Sequence, residues 1–170
     1  MCIRDSISVE SIEKEYEYIR HHGSWKDFLK NLKHIQTLNH KISFNMLYFI
    51  LNYKSIFDTV DYFKSLGFVD NSFIIGPIYK PKHLNILNLP EHMLNEIKER
   101  LENEISKCDG YLKNSYENIL AYIKETTFKN DITKFLLQTY ERDMRRGVNA
   151  TKIFPKLFEE LDAYPLDKFN

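Results

Sequence analysis

The stretch KISFNMLYFIL at residues 41–51 constrains the fold of this chain more than any other, because from Phe44 onward apolar side chains occupy both alternating faces. A strand apolar on both faces is expected inside a parallel sheet, covered from both sides. SFIIGPIY at 72–79 reads as a second such strand, with Pro77 near its end because proline cannot donate to a ladder. ISV at 7–9 is a short β-branched stub ahead of both. Helical spacing fills the intervals. Ile12, Tyr16 and Ile19 recur three and four residues apart, HHGS interrupts them, and Ser24 is placed to cap a second helix with the stripe Trp25, Phe28, Leu29, Leu32 and Ile35. Residues 55–68 put Ile56, Val60 and Phe63 on one face and stop at Gly67. The order strand, helix, strand, helix, strand predicts a parallel sheet with right-handed crossovers.

From Pro90 the pattern changes. Four apolar-periodic stretches follow, 90–107, 114–125, 130–146 and 151–163, with no strand between them. Pro90 suits a first helical turn and Glu91 its dipole. YKPKHLNILNLP, ahead of them, reads as a long loop. No repeat or flexible linker separates the parts, so the helices are expected to pack on the sheet as one unit.

Charge narrows the partners. Lys plus Arg and Asp plus Glu each number 24, so no global field favours nucleic acid or an anionic membrane. The longest apolar run, MLYFIL at 46–51, is far short of the roughly 18 residues a membrane span needs. Of the two cysteines, Cys2 lies in MCIRDS, whose codons match the end of a transposase adapter used in sequencing libraries. Residues 1–6 are therefore expected to be artefact and the native chain to run from Ile7. Cys108 is then the single native thiol, which points to a reducing compartment and a cytoplasmic protein.

Several motifs carry a family resemblance. Ser8-Val9-Glu10, then Tyr16-x-x-Ile19-Arg20 and Gly23-x-Trp25, resemble the fourth strand and following helix of radical SAM enzymes, with Ser8 and Arg20 twelve residues apart as in that family. KISFNMLYFILN and SFIIGPIYKP resemble its fifth and sixth strands. Asp143-x-x-Arg146, Asn149 and Phe154-Pro155 resemble the closing pattern of a phage-associated and metagenomic twitch-domain subset. The fold this implies is α/β: residues 7–89 as the C-terminal half of a partial (β/α)6 TIM-like barrel, strands four to six, and residues 90–170 as a helical extension packed on it. The function it implies is that of a C-terminal fragment of an enzyme which makes a 5′-deoxyadenosyl radical and abstracts hydrogen from a peptide or another macromolecule. That chemistry uses S-adenosylmethionine and a [4Fe-4S] cluster held by Cys-x-x-x-Cys-x-x-Cys. The cysteine motif is absent from this sequence, so the fragment is expected to be inactive alone.

The resemblance also implies site residues, each with a plainer alternative. Ser8 is a hydrogen-bond partner of the cofactor or an ordinary turn serine. Arg20 meets the cofactor carboxylate through its donor fork, or pairs with Glu13 or Glu17 on the helix surface. Glu10 holds the family's acidic position or is a solvated turn carboxylate. Asn52 contacts cofactor or joins a structural network. Ile78 packs beside the adenine or in the core. Asn45 and Tyr48 are expected to face substrate, Asn45 alternatively joining the same network as Asn52. The RDMRR run at 142–146 binds phosphate or, more simply, complements a helix dipole. The six histidines lack metal-site spacing and read as surface residues. The rival class is a non-catalytic α/β module that binds a protein partner through its helical tail. A half barrel would have an exposed strand edge through which copies self-associate.

Overall fold

β1 (Arg4–Ser8), β2 (Lys41–Tyr48) and β3 (Phe73–Pro77) form a parallel sheet in the order β1-β2-β3. A computed structural model describes residues 4–38, 40–126 and 132–161, and of residues 4 and 5 the backbone only. β1 takes in Arg4–Ser6, from the segment read as adapter, and pairs with β2 from Arg4 opposite Lys41 to Ser8 opposite Asn45. β2 pairs with β3 from Phe44 opposite Phe73 to Tyr48 opposite Pro77. The crossovers are α1 (Glu13–Ile19) with α2 (Trp25–Thr37), then α3 (Ser55–Ser65). As the hydroxyl at 24 predicts, Ser24 Oγ accepts the Asp27 N–H at 3.2 Å and caps α2. Gly67 follows α3 at φ +93°, which a side chain would strain.

Only one face of the sheet is covered. Ile42, Phe44, Met46, Tyr48, Phe73 and Ile75 are buried on it. Phe44 stacks on Phe63 of α3 at 4.5 Å and on Phe73 at 5.5 Å, while Trp25 and Phe28 of α2 reach Phe63 at 6.3 and 6.2 Å. The opposite face carries Ser6, Ser8, Asn45, Leu47 and Ile74, all exposed. β2 is therefore not buried on both sides, as its run of apolar residues suggested. The strand ends at Tyr48, and Ile50 and Leu51 belong to a buried 3-10 turn (Ile50–Asn52) that continues the apolar run without continuing the strand.

The second half is helical: α4 (Glu91–Ile105), α5 (Gly110–Glu125), α6 (Thr133–Arg146), α7 (Ala150–Ile153) and α8 (Pro155–Leu161). The stretch expected as one helix over 151–163 is two, because Pro155 has no N–H to continue the first; residues 162 and 163 lie outside the described part, as do 130 and 131 of the preceding stretch. The loop before α4 holds two 3-10 turns (Lys82–Leu84 and Ile86–Asn88), and Ile86, Leu87 and Leu89 are buried in it. Buried Asn85 secures it by donating to the Ile78 carbonyl and the Tyr122 hydroxyl.

The helices dock on the sheet through polar as well as apolar contacts. Ser115 Oγ on α5 accepts the Ile75 N–H at 2.9 Å, so α5 takes the place of a further strand along the outer edge of β3. Asp70 and Asn71, just before β3, accept the Asp109 and Tyr111 N–H groups and cap α5 from another element. In the RDMRR run, Arg142 donates to the Tyr18 hydroxyl and lies over its ring, Arg146 donates to the Tyr18 carbonyl, and Asp143 accepts from the Tyr18 hydroxyl and the Ala150 N–H. The run thus ties α6 to α1 and α7, a role neither sequence reading anticipated. No helix among the described residues is long and apolar enough to cross a membrane.

Candidate functional site

Ligands of β/α proteins bind at the C-terminal ends of strands, and there this structure assembles a polar cluster. Glu10, two residues past β1, is 4% exposed. Arg20, at the end of α1, grips both of its carboxylate oxygens, Nε to Oε2 at 2.9 Å and an Nη to Oε1 at 2.8 Å. Beside it Asn52 is fully buried and fully used: its amide donates to the Glu10 carbonyl at 2.9 Å and the Leu47 carbonyl at 2.8 Å, and its oxygen accepts the Phe49 N–H at 2.9 Å. Asn52 thus joins the end of β1 to the end of β2.

Of the seven residues the sequence singled out, Glu10, Arg20 and Asn52 form this cluster. Arg20 pairs with Glu10 rather than Glu13 or Glu17, and Glu10 is buried rather than solvated. Ser8 and Asn45 lie opposite one another in register on the open face, where the Asn45 amide reaches Ser6 Oγ at 2.5 Å. Ile78 is half-buried against the core and its N–H donates to the Tyr48 carbonyl at 2.9 Å, extending the β2–β3 ladder. Tyr48 does not face the open side. Its even position in β2 puts it with Phe44 and Met46 on the covered face, fully buried, its hydroxyl donated to the Tyr53 carbonyl at 2.7 Å.

This arrangement does not fit the cofactor roles that the family resemblance implies for three residues. The guanidinium edge expected to meet a cofactor carboxylate already holds Glu10, and Asn52 has no donor left. Ser8 alone of the expected cofactor contacts stands exposed at a strand end. Among the described residues no group of three or more His, Cys, Asp or Glu is arranged to hold a metal ion, and Cys108 is buried beside α4, its thiol pushed up by burial and by the nearby Asp70.

Sequence spacing missed a second polar region at the N-terminus of α3. Two adjoining cavities of about 310 and 270 Å³ share Tyr53, Lys54, Asp58 and Lys156. At one end Ser11, fully buried, donates to Glu15 Oε2 at 2.5 Å and lies 3.5 Å from Ser55 Oγ. Burial raises the Glu15 pKa, against the hydrogen bonds from Ser11 and Ser55, and Asp58 adds to the rise. At the centre Lys54 Nζ bridges Glu96 on α4 at 2.8 Å and Glu160 on α8 at 2.5 Å. Lys54 and Glu160 are 106 residues apart, so no local pattern could join them.

No protein-family model matches this chain, and neither does any curated protein or solved structure.

Proposed function

We propose that this chain is part of the wall of a radical-SAM-type β/α barrel, corresponding to strands four to six of the partial (β/α)6 fold, with residues 90–170 packed outside it. One observation carries the reading: the strands run parallel in chain order with helices over one face, while the other face is open and bears Ser6, Ser8 and Asn45 beside Leu47 and Ile74. An open doubly wound sheet covers both faces with helices, whereas a barrel keeps its helices outside and turns the inner face to a lumen. On this reading Ser8 and Asn45 face the lumen, Ser8 is this chain's contribution to the S-adenosylmethionine pocket, and Glu10, Arg20 and Asn52 hold the strand ends in place. The [4Fe-4S] cluster belongs to other residues of the parent, whose substrate is a peptide or another macromolecule.

The test is the reading frame upstream of Ile7 in the source DNA. The proposal expects it to encode further β/α units and Cys-x-x-x-Cys-x-x-Cys, and a contiguous frame without that motif overturns the catalytic part. A second reading, a non-catalytic module that binds a protein partner through its helices, draws on Leu137, Tyr140, Met144 and Val148, exposed along α6 and just beyond it. It predicts that substitutions on α6, and not on the open sheet face, abolish partner capture.

A further inference from the structure

Buried polar atoms in folded proteins nearly always have a partner. Among the described residues two side-chain atoms do not, Tyr53 Oη and Glu160 Oε2. They share one place. Tyr53 is 2% exposed and lines both cavities beside Lys54. Its hydroxyl faces Glu160, and its pKa is raised by burial first and by that carboxylate second, yet the pair closes no hydrogen bond. Glu160 has its other oxygen on Lys54 Nζ. Lys54 also reaches Glu96 and hangs 5.4 Å from the Tyr53 ring centroid. A lysine ammonium thus sits between two carboxylates and over an aromatic ring, with an acceptor and a hydroxyl beside it unused.

That is the environment that recognises an alkyl ammonium ion, which needs carboxylate acceptors, an aromatic face and an apolar wall for its stem. The wall is present in Phe57 and Ile97 of the larger cavity. The charges agree. Asp58, Glu96 and Glu160 face Lys54, Lys156 and Arg100, but Arg100 is paired with Glu104 at 3.1 Å, so displacing Lys54 outward leaves the furrow anionic. Lys54 is free to move, its side chain being 39% exposed on a flexible stem.

We propose that this furrow between α3, α4 and α8 binds an alkyl ammonium group, which takes the place of Lys54 between Glu96 and Glu160 and satisfies Glu160 Oε2 and Tyr53 Oη. The ammonium comes from a free amine or from the lysine side chain of a peptide. Isothermal titration of the full chain with n-butylammonium, with Nα-acetyl-lysine N-methylamide and with neutral n-butanol tests this. Both ammonium ions are expected to bind saturably and n-butanol not to. Tighter binding of the blocked lysine assigns the site to a peptide, and equal binding to a free amine. Glu160→Gln, on a half-exposed helix position, is expected to weaken both by about tenfold, the worth of one charge-assisted hydrogen bond. Lys54→Met removes the resident ammonium, keeps its stem and is expected to tighten them. Absence of saturable binding in both the native chain and Lys54→Met overturns the proposal. So does equal binding of n-butanol, or unchanged affinity in a Glu160→Gln variant whose circular dichroism is native.

Discussion

Arg20 holds both carboxylate oxygens of Glu10, at 2.9 and 2.8 Å, and Glu10 is almost wholly removed from water. Removing one partner of a buried pair costs more than removing both, because it strands an uncompensated charge. Arg20→Met is therefore expected to destabilise the chain by about 2 kcal/mol, less than a fully buried pair would give because the Arg20 side chain is 36% exposed. Adding Glu10→Gln to that variant is expected to recover part of the loss. Urea denaturation of the two single variants and the double checks this, and simple additivity would show that the pair is not coupled.

Gly110 begins α5 where no side chain fits. A Cβ there would lie 1.9 Å from Asn71 Oδ1, and φ is +57°. Asn71 cannot withdraw without giving up the Tyr111 N–H. Gly110→Ala is expected to cost about 2 kcal/mol, through strain and loss of the cap that docks α5 on the sheet. Asn71→Ala relieves the clash but not the strain, so the double variant is expected to be more stable than the sum of the singles. Thermal unfolding of the set measures this.

Glu15 gives a pH dependence of defined sign. Burial raises its carboxyl above the ordinary value of 4.5, so the folded chain binds its proton more tightly than the unfolded chain does. The native state is therefore favoured below that value and loses this contribution as pH rises through the folded pKa. Glu15→Gln keeps an oxygen that can accept from Ser11 and abolishes the titration. Its stability relative to the native chain is expected to rise with pH from the acid side of 4.5 to neutrality. Urea midpoints at the two ends of that range decide it, and a constant difference would remove Glu15 as the source.

Which parts of this were legible in the sequence follows the range of the contacts. The helices over 25–37 and 55–65 could be read because their stripes and the Ser24 cap are local, and the parallel sheet because its strands are apolar and separated by helices. The covered face could not be read from KISFNMLYFIL, since a strand and the buried turn after it were joined in one apolar run. Glu10, Arg20 and Asn52 were picked out correctly as polar groups at strand ends. Their partners were not, because Asn52 reaches Glu10 across 42 residues and the pairing that uses up Arg20 depends on how α1 returns toward β1. The Lys54–Glu160 contact and the α5 cap, which join the two halves of the chain, have no sequence signature at all.

The open face of the sheet gives a test that stability alone would miss. Leu47 and Ile74 are 45% and 42% exposed at its centre, on neighbouring strands, and β1 has no partner strand on its outer edge among the described residues. Substituting an exposed side chain that touches little changes folding stability by no more than about 0.5 kcal/mol. An apolar patch next to an open strand edge, by contrast, promotes association between copies or with a complementary polypeptide. Leu47→Asp is therefore expected to leave the unfolding midpoint nearly unchanged while lowering the mass observed by sedimentation at high protein concentration. Leu137→Asp on α6 serves as the comparison, being similarly exposed but on the opposite part of the argument. If Leu137→Asp dissociates the chain and Leu47→Asp does not, association runs through the helices, and the sheet face loses its claim to be the inner wall of a larger barrel.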